Sequence, residues 1–297
     1  MTMRNNKCIF ALGFFDGVHL GHQALLKTCR NMATSTGCQA AAITFDAHPQ
    51  TLFAPNVPPL LTTVEDRRLL LRDCGMDEIH TFPVKSDVMG MHWESFLDGL
   101  VQQGAAGFVC GDDFRFGHKG AGNAELLLEY CQKNCLPCAV IPEQTRDGQR
   151  ISSSLIRTLV ESGKMESAIH FLGHPHILTG SVRHGQQLGR KLGVPTANLV
   201  IPEGVVVPKF GVYACRAKID GTYHAAVANV GVRPTVSGSG ITVEPWILDF
   251  SGNLYGKEIT LEFYRFLREE TKFPDLTALQ RQIHLDAAET RRYFETH

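Results

Sequence analysis

The 297-residue sequence predicts an α/β fold class: a Rossmann-like parallel-sheet domain, then a small antiparallel six-stranded β-barrel domain with a C-terminal helix. Three observations predict it. Apolar runs at 8–12, 39–45, 78–82, 107–110 and 138–142 alternate with amphipathic stretches near 22–36, 63–75, 93–103 and 123–135. Strands and helices alternating at this spacing build a parallel sheet covered on both faces. From about residue 173 the helical period stops, and strand-like runs follow one another too closely for intervening helices. The length also exceeds one ordinary core. The change of pattern at Gly173-His-Pro175 therefore divides the chain into domains 1–174 and 175–297.

Taken in order, the first strand Cys8–Leu12 runs into Gly13-Phe-Phe-Asp16-Gly17-Val-His19-Leu-Gly-His22-Gln. Leu25, Leu26, Cys29 and Met32 then mark the buried side of a helix. Glycines let the backbone turn tightly and approach a ligand closely. His19 and His22 are three apart and face the same way at the first turn, where unpaired N–H groups favour an anion. The pair reads either as a cap plus a core histidine or as a phosphate site. A strand, a glycine turn and a His-x-Gly-His helix start together favour the phosphate site and resemble ATP-using nucleotidyltransferases.

Three more stretches fall after strand ends, where parallel sheets bind ligands. Thr44-Phe-Asp-Ala-His48-Pro follows the second strand, and Gly111-Asp-Asp113-Phe-Arg115-Phe116-Gly follows the fourth. Ile151-Ser-Ser153-Ser154-Leu-Ile-Arg157 opens a helix after the fifth. Asp113 and Arg115 could equally be a surface ion pair, Phe116 core, and the serines a cap. The helix near 63 has start signals in Thr62 with Glu65 and Thr63 with Asp66.

In the second half, 177–184, 196–200, 211–219, 223–230, 241–250 and 257–267 read as strands. Asp220-Gly221 marks a tight hairpin. A closing helix begins after Asp275, its cap, with Leu276, Leu279, Ile283 and Ala287 on one face. The glycine-rich stretch 180–193, with Gly185, Gly189 and Arg190, reads as a phosphate-binding loop or as a long irregular connection. Thr196 and Asn198 alternate onto one strand face and offer oxygens to a hard cation such as Mg²⁺. Glu244 reads as a solvent-facing residue of an alternating strand or as a general base.

Composition excludes several classes. Lys plus Arg number 29 against 30 Asp plus Glu, net −1, with no basic block, so nucleic acid has no electrostatic footprint. No apolar run reaches a membrane span, and none near the start makes a signal peptide. Nine scattered cysteines suit reduced thiols in the cytoplasm. Cys131, Cys135 and Cys138 lack a fourth zinc ligand of suitable spacing. A monomer or weak homo-oligomer acting on small molecules is expected.

The sequence resembles the bacterial bifunctional riboflavin kinase/FMN adenylyltransferase family over roughly residues 8–295. Phe15–Gln23, Asp113–Gly117, Ile151-Ser-Ser and Ile156-Arg157 carry the likeness in the first half. Gly189-Arg190, Leu192-Gly193, Pro195-Thr-Ala-Asn198, Asn229-Val-Gly-Val-Arg233-Pro-Thr, Glu244, Leu248-Asp-Phe, Leu254-Tyr-Gly and Leu267–Phe273 carry it in the second. The resemblance implies two ATP-dependent steps, riboflavin to FMN and FMN to FAD, with Mg²⁺. It implies Glu244 as base and Thr196 and Asn198 as Mg²⁺ ligands. It also implies charge stabilisation by His19 and His22, and contacts to the leaving phosphates from Ser153, Ser154 and Arg157. The sequence departs from the family pattern at Phe14 (usually Asn), Ala47 (Pro), Ser154 (Thr), Val194 (Phe) and Trp246 (His).

Overall fold

The computed structural model describes residues 7–52, 56–84, 90–183, 194–235 and 238–296, with the backbone alone at 52, 233–235, 238 and 239. Two compact units divide the chain, Met1–Leu60 with Val64–Ser153, and Leu61–Thr63 with Ser154–His297.

The first unit is built from β1 (Cys8–Leu12), α1 (Leu20–Thr36), β2 (Gln39–Phe45), α2 (Val64–Asp73), β3 (Glu78–Phe82), α3 (Trp93–Gln102), β4 (Ala105–Gly111), α4 (Ala124–Lys133) and β5 (Cys138–Ile141). A small hairpin, β6 (Thr145–Arg146) and β7 (Gln149–Arg150), follows. The five strands form one parallel sheet in the order β3-β2-β1-β4-β5. Its strands read as unbroken apolar runs because both faces are covered. Cys8, Phe10 and Leu12 of β1 pack with Phe96, Leu97, Leu100 and Leu127 of α3 and α4. Ile9 and Ala11 pack on the other face with Leu25, Leu26 and Cys29 of α1 and Leu71 of α2. The strand order reverses between β1 and β4, and the crevice beyond that point is where such sheets bind ligands. The Gly13–His22 turn leaves β1 there.

The second unit holds α5 (Ser153–Glu161) from Ser154 onward, α6 (Met165–Leu172), six strands and a last helix. The sequence-pattern boundary at 174/175 comes after these two helices. The strands β8 (His176–Arg183), β9 (Asn198–Val200), β10 (Gly211–Ile219), β11 (Thr222–Thr235), β12 (Gly238–Ile247) and β13 (Glu258–Arg268) close into a barrel ordered β10-β11-β12-β9-β8-β13. Asp220 and Gly221, at φ 48° and 83°, make the expected two-residue turn between β10 and β11. Val243 and Ile247 point inward and are buried, which leaves Glu244 and Trp246 on the outer face.

The last helix, α7 (Leu276–Thr296), is capped by Asp275, whose Oδ1 accepts from the Ala278 amide at 2.8 Å. It packs against β10 and β11. Its buried residues are Asp286, Ala287 and Thr290, all in its second half. Leu276, expected on the buried face, is instead 56% exposed, because the first turn lies outside that contact. The buried Asp286 carboxylate is held by a fork from Arg268, Nε to Oδ1 at 3.1 Å and Nη2 to Oδ2 at 2.8 Å.

His176 opens β8 and is 2% exposed, with one ring nitrogen bonded to the Val206 backbone and Nε2 without a partner. Burial first, then His174, pushes its pKa down to about 3. The unfolded chain therefore binds one more proton than the folded chain between about pH 6.5 and that value. The stability that depends on neutral His176 is complete above that window and is lost as pH falls through it, by up to about 1.4 kcal/mol per pH unit. Denaturant unfolding of His176→Phe between pH 6.5 and 4 should show a shallower loss than wild type. Parallel curves would contradict this.

Candidate active sites

The turn after β1 has an unusual backbone. Phe15 and Val18 have φ of 59° and 41°, the left-handed region, and Gly17 between them has φ 77°. For a β-branched residue such as Val18 this is a strained conformation, costing roughly 1–3 kcal/mol. Both side chains are buried, Phe15 at 0% and Val18 at 1% exposure, against α1 and the sheet. Fully burying such side chains contributes about 1.5–3 kcal/mol each, enough to offset the strain. Gly13 makes room, because a Cβ there would lie 2.8 Å from the Phe15 ring.

The turn delivers His19 to the cap position of α1, where its Nδ1 accepts from the His22 amide at 3.3 Å. With Nδ1 as acceptor, a ring proton of His19 sits on Nε2. The His19 and His22 rings stack at 3.6 Å between centroids, 14° from parallel. Gly21 permits this, since a Cβ there would come within 3.2 Å of the His19 ring. His22 has its ring against the edge of Phe15, and its Nδ1 is buried without a partner. Burial, then the neighbouring His19, then Arg67, hold its pKa well below the usual histidine range. The site is therefore a stacked pair of rings, His19 buried and His22 half-buried and held neutral, able to donate hydrogen bonds to an anion.

The other expected residues of this unit are placed as follows. Asp16 is buried, and its carbonyl accepts from Ser153 Oγ at 3.0 Å, which ties the turn to the start of α5. His48 Nδ1 accepts from the Gln50 amide at 3.2 Å, and its ring meets the Phe14 ring at 5.2 Å. Asp113 pairs with Arg150 of β7 at 2.9 Å, not with Arg115, and both Asp113 and Arg115 are exposed. Phe116 is buried in the core beside Phe114 and Phe96. Ser154 and Arg157 lie on α5 in the second unit, Arg157 buried. Arg67, on α2 and 0% exposed, was not anticipated. The available signal was its spacing from Leu71, which puts a cation on the apolar side of the helix.

The barrel's site is set by register. The bridge between Thr196 and Trp246 and the pairing of Leu199 with Val243 belong to one antiparallel register, in which Asn198 falls opposite Glu244. Glu244 in turn pairs with Asn229, and Asn198 with Arg183. Arg183, Asn198, Glu244 and Asn229 thus form a row across four strands, spaced by about 4.8 Å per strand on one outer face. Asn229 Nδ2 donates to Glu270 Oε1 at 3.0 Å, so that carboxylate, also unanticipated, lies beside the row. Trp246 meets the edge of His284 of α7 at 5.7 Å. Thr196 lines a cleft at the barrel mouth with Pro195, Pro245, Phe250, Asn253 and Tyr255. Thr196 and Asn198 are half-buried, and their hydroxyl and amide oxygens beside a carboxylate are a hard-cation donor set. Among the described residues there is no group of three or more His, Cys, Asp or Glu that could hold a metal ion. Gly185, Gly189, Arg190 and the Arg233 side chain lie outside the described residues.

A family model described as FAD synthetase matches residues 1–155, and one described as riboflavin kinase matches residues 172–294. A curated Listeria monocytogenes protein, "Bifunctional riboflavin kinase/FMN adenylyltransferase", is 34% identical, covering 96% of this chain and 92% of its own. A protein of the same description from Escherichia coli K12 is 33% identical, covering 97% and 93%. A solved Streptococcus pneumoniae structure titled "Macrolide-efflux Protein" superposes with a TM-score of 0.86 at 28% identity, covering 96% and 94%. No helix among the described residues is long and apolar enough to cross a membrane.

The state of the histidine pair is directly measurable. In a side-chain NMR titration His22 should show no protonation midpoint between pH 7 and 5.5. A midpoint near the ordinary 6.5 would contradict the stacked arrangement.

Proposed function

The chain belongs to the bifunctional riboflavin kinase/FMN adenylyltransferase family, and we propose that it converts riboflavin to FMN and FMN to FAD, spending one ATP at each step. Residues 175–297 carry the kinase step and residues 1–174 the adenylyl transfer. The observation that carries the reading is the outer-face row Asn198–Glu244–Asn229, which sets one carboxylate between two amides on a rigid barrel.

In the kinase step the riboflavin 5′-hydroxyl attacks the γ-phosphate of ATP, ADP leaves, and Glu244 takes the hydroxyl proton. Thr196 and Asn198 would hold Mg²⁺, which would neutralise phosphate charge when bound. Asn229, fixed by Glu270, orients the groups beside the base. Gly185, Gly189, Arg190 and Arg233 are assigned to the same nucleotide and flavin by resemblance. No covalent enzyme intermediate is needed, because positioning and charge stabilisation suffice for phosphoryl transfer.

In the second step an FMN phosphate oxygen attacks the α-phosphate of ATP and pyrophosphate leaves. His19 Nε2–H and the His22 ring face the charge that develops, in a partly buried site where hydrogen bonds are stronger than in bulk water. A neutral His22 suits the task, because it binds the anion without stacking a second positive charge against His19. Gly13, Asp16, Gly17, His48, Asp113, Arg115 and Phe116 are assigned to the nucleotide and flavin by resemblance.

Two variants test the assignment in the full-length protein. Glu244→Gln should lower riboflavin phosphorylation kcat by roughly 10²–10⁴, with KM little changed, and leave FMN adenylylation intact. A wild-type rate would remove Glu244 from the mechanism. His22→Ala should lower FAD formation from supplied FMN by about 10²–10³ while phosphorylation stays normal. Equal losses in both assays would point to misfolding instead.

A further inference from the structure

Arg67 is a cation with no solvent exposure, and none of the steps above uses it. Its Nη1 donates to Phe45 O at 2.8 Å, to Thr44 Oγ1 at 3.0 Å and to Phe14 O at 3.4 Å. Thr44 Oγ1 also donates to Phe14 O, at 2.7 Å. The guanidinium carbon lies 4.4 Å from the centroid of the Phe14 ring, whose other neighbour is His48. One cation thus gathers the carboxyl ends of β1 and β2 and the aromatic residue that departs from the family pattern.

Keeping a charge in such a place costs several kcal/mol of desolvation, which an apolar residue of similar length would avoid. A packing role alone would therefore favour Met or Leu at this position. We propose that Arg67 is a positioning residue for adenylyl transfer: it clamps the Phe14–Phe15 turn and lends its positive field to the histidine pair without touching the nucleotide. This rests on the reading of the pair as the adenylyl-transfer site.

Two consequences follow from the geometry. Clamping at Phe14 O and Phe45 O fixes where the strained turn begins, and so where His19 and His22 point. The charge also bears on His22, which stacks on His19 and feels the Arg67 charge, while Asp16 and Glu65 act on Arg67 itself. Removing the cation leaves the burial of His22 and its His19 neighbour in place but makes protonation easier.

The test compares Arg67→Lys, which keeps a charged donor, with Arg67→Met, which keeps only length and apolar contact. Arg67→Lys should retain FMN adenylylation within about tenfold. Arg67→Met should lower its kcat by about 10², and the acid limb of its pH–rate profile should move upward. Riboflavin phosphorylation, measured on the same full-length samples, should be unchanged in both. Arg67→Met as active as Arg67→Lys, with the same acid limb, would overturn the proposal. If Arg67→Met is insoluble, Thr44→Val decides, because it removes the hydroxyl between Arg67 and Phe14 at constant shape. A roughly tenfold drop in adenylylation alone supports the clamp, and wild-type adenylylation overturns it. Wild-type enzyme that makes no FAD from FMN and ATP would instead remove the reading of the site, before any variant is made.

Discussion

Burial of Phe15 and Val18 is the constraint on which the first unit's chemistry depends. Both residues take a backbone conformation that L-residues avoid, and both are held in it by side chains sunk in the core against α1. Strain of this kind persists only where the surroundings over-determine it. Here the over-determination is visible: Gly13 yields space to Phe15, Gly21 yields space to His19, and Thr44 with Arg67 ties Phe14 to the end of β2. The consequence is a stacked imidazole pair at the point where the parallel sheet reverses its strand order. Fixing donors in advance is what makes them effective against developing charge.

The barrel reaches the same end by register instead of strain. Side chains on a strand alternate, so a slip of one residue between β9 and β12 would turn Asn198 away from Glu244 and bring apolar groups outward. Val243, Ile247 and Leu199 on the inward side forbid that slip, because each is buried. The core thus specifies the site: the residues that face in lock the positions of those that face out. Arg268 and Asp286 add a charged clasp between β13 and α7, beside the segment that carries Glu270.

Much of this was legible in the sequence because it is governed by short-range rules. The five parallel strands and their helices follow from apolar periodicity, the β10–β11 turn from Asp220-Gly221, and the last helix from its Asp275 cap. The contacts that were not legible join residues distant in sequence. Nothing near Asp113 says that Arg150 is its partner, and nothing near Asn229 says that Glu270 reaches it. Arg67 was hidden for a different reason. A cation on the apolar side of a helix looks like an imperfection of pattern until its acceptors at Phe14, Thr44 and Phe45 are known. Leu276 shows the converse, since a periodic apolar position at a helix end need not meet the surface that buries the rest.

On the proposed reading, two ATP-dependent chemistries occupy separate sites in one chain and FMN is released between them. Mixing the two single-site variants, His22→Ala and Glu244→Gln, tests this most directly. Neither alone should carry riboflavin to FAD, the first stopping at FMN and the second before it. The mixture, given riboflavin, ATP and Mg²⁺, should make FAD, because FMN from one variant becomes the substrate of the other. A mixture that accumulates FMN but makes no FAD, although the Glu244→Gln protein adenylylates supplied FMN, would contradict free exchange of the intermediate. A Glu244→Gln protein that cannot adenylylate supplied FMN would contradict the separation of the sites.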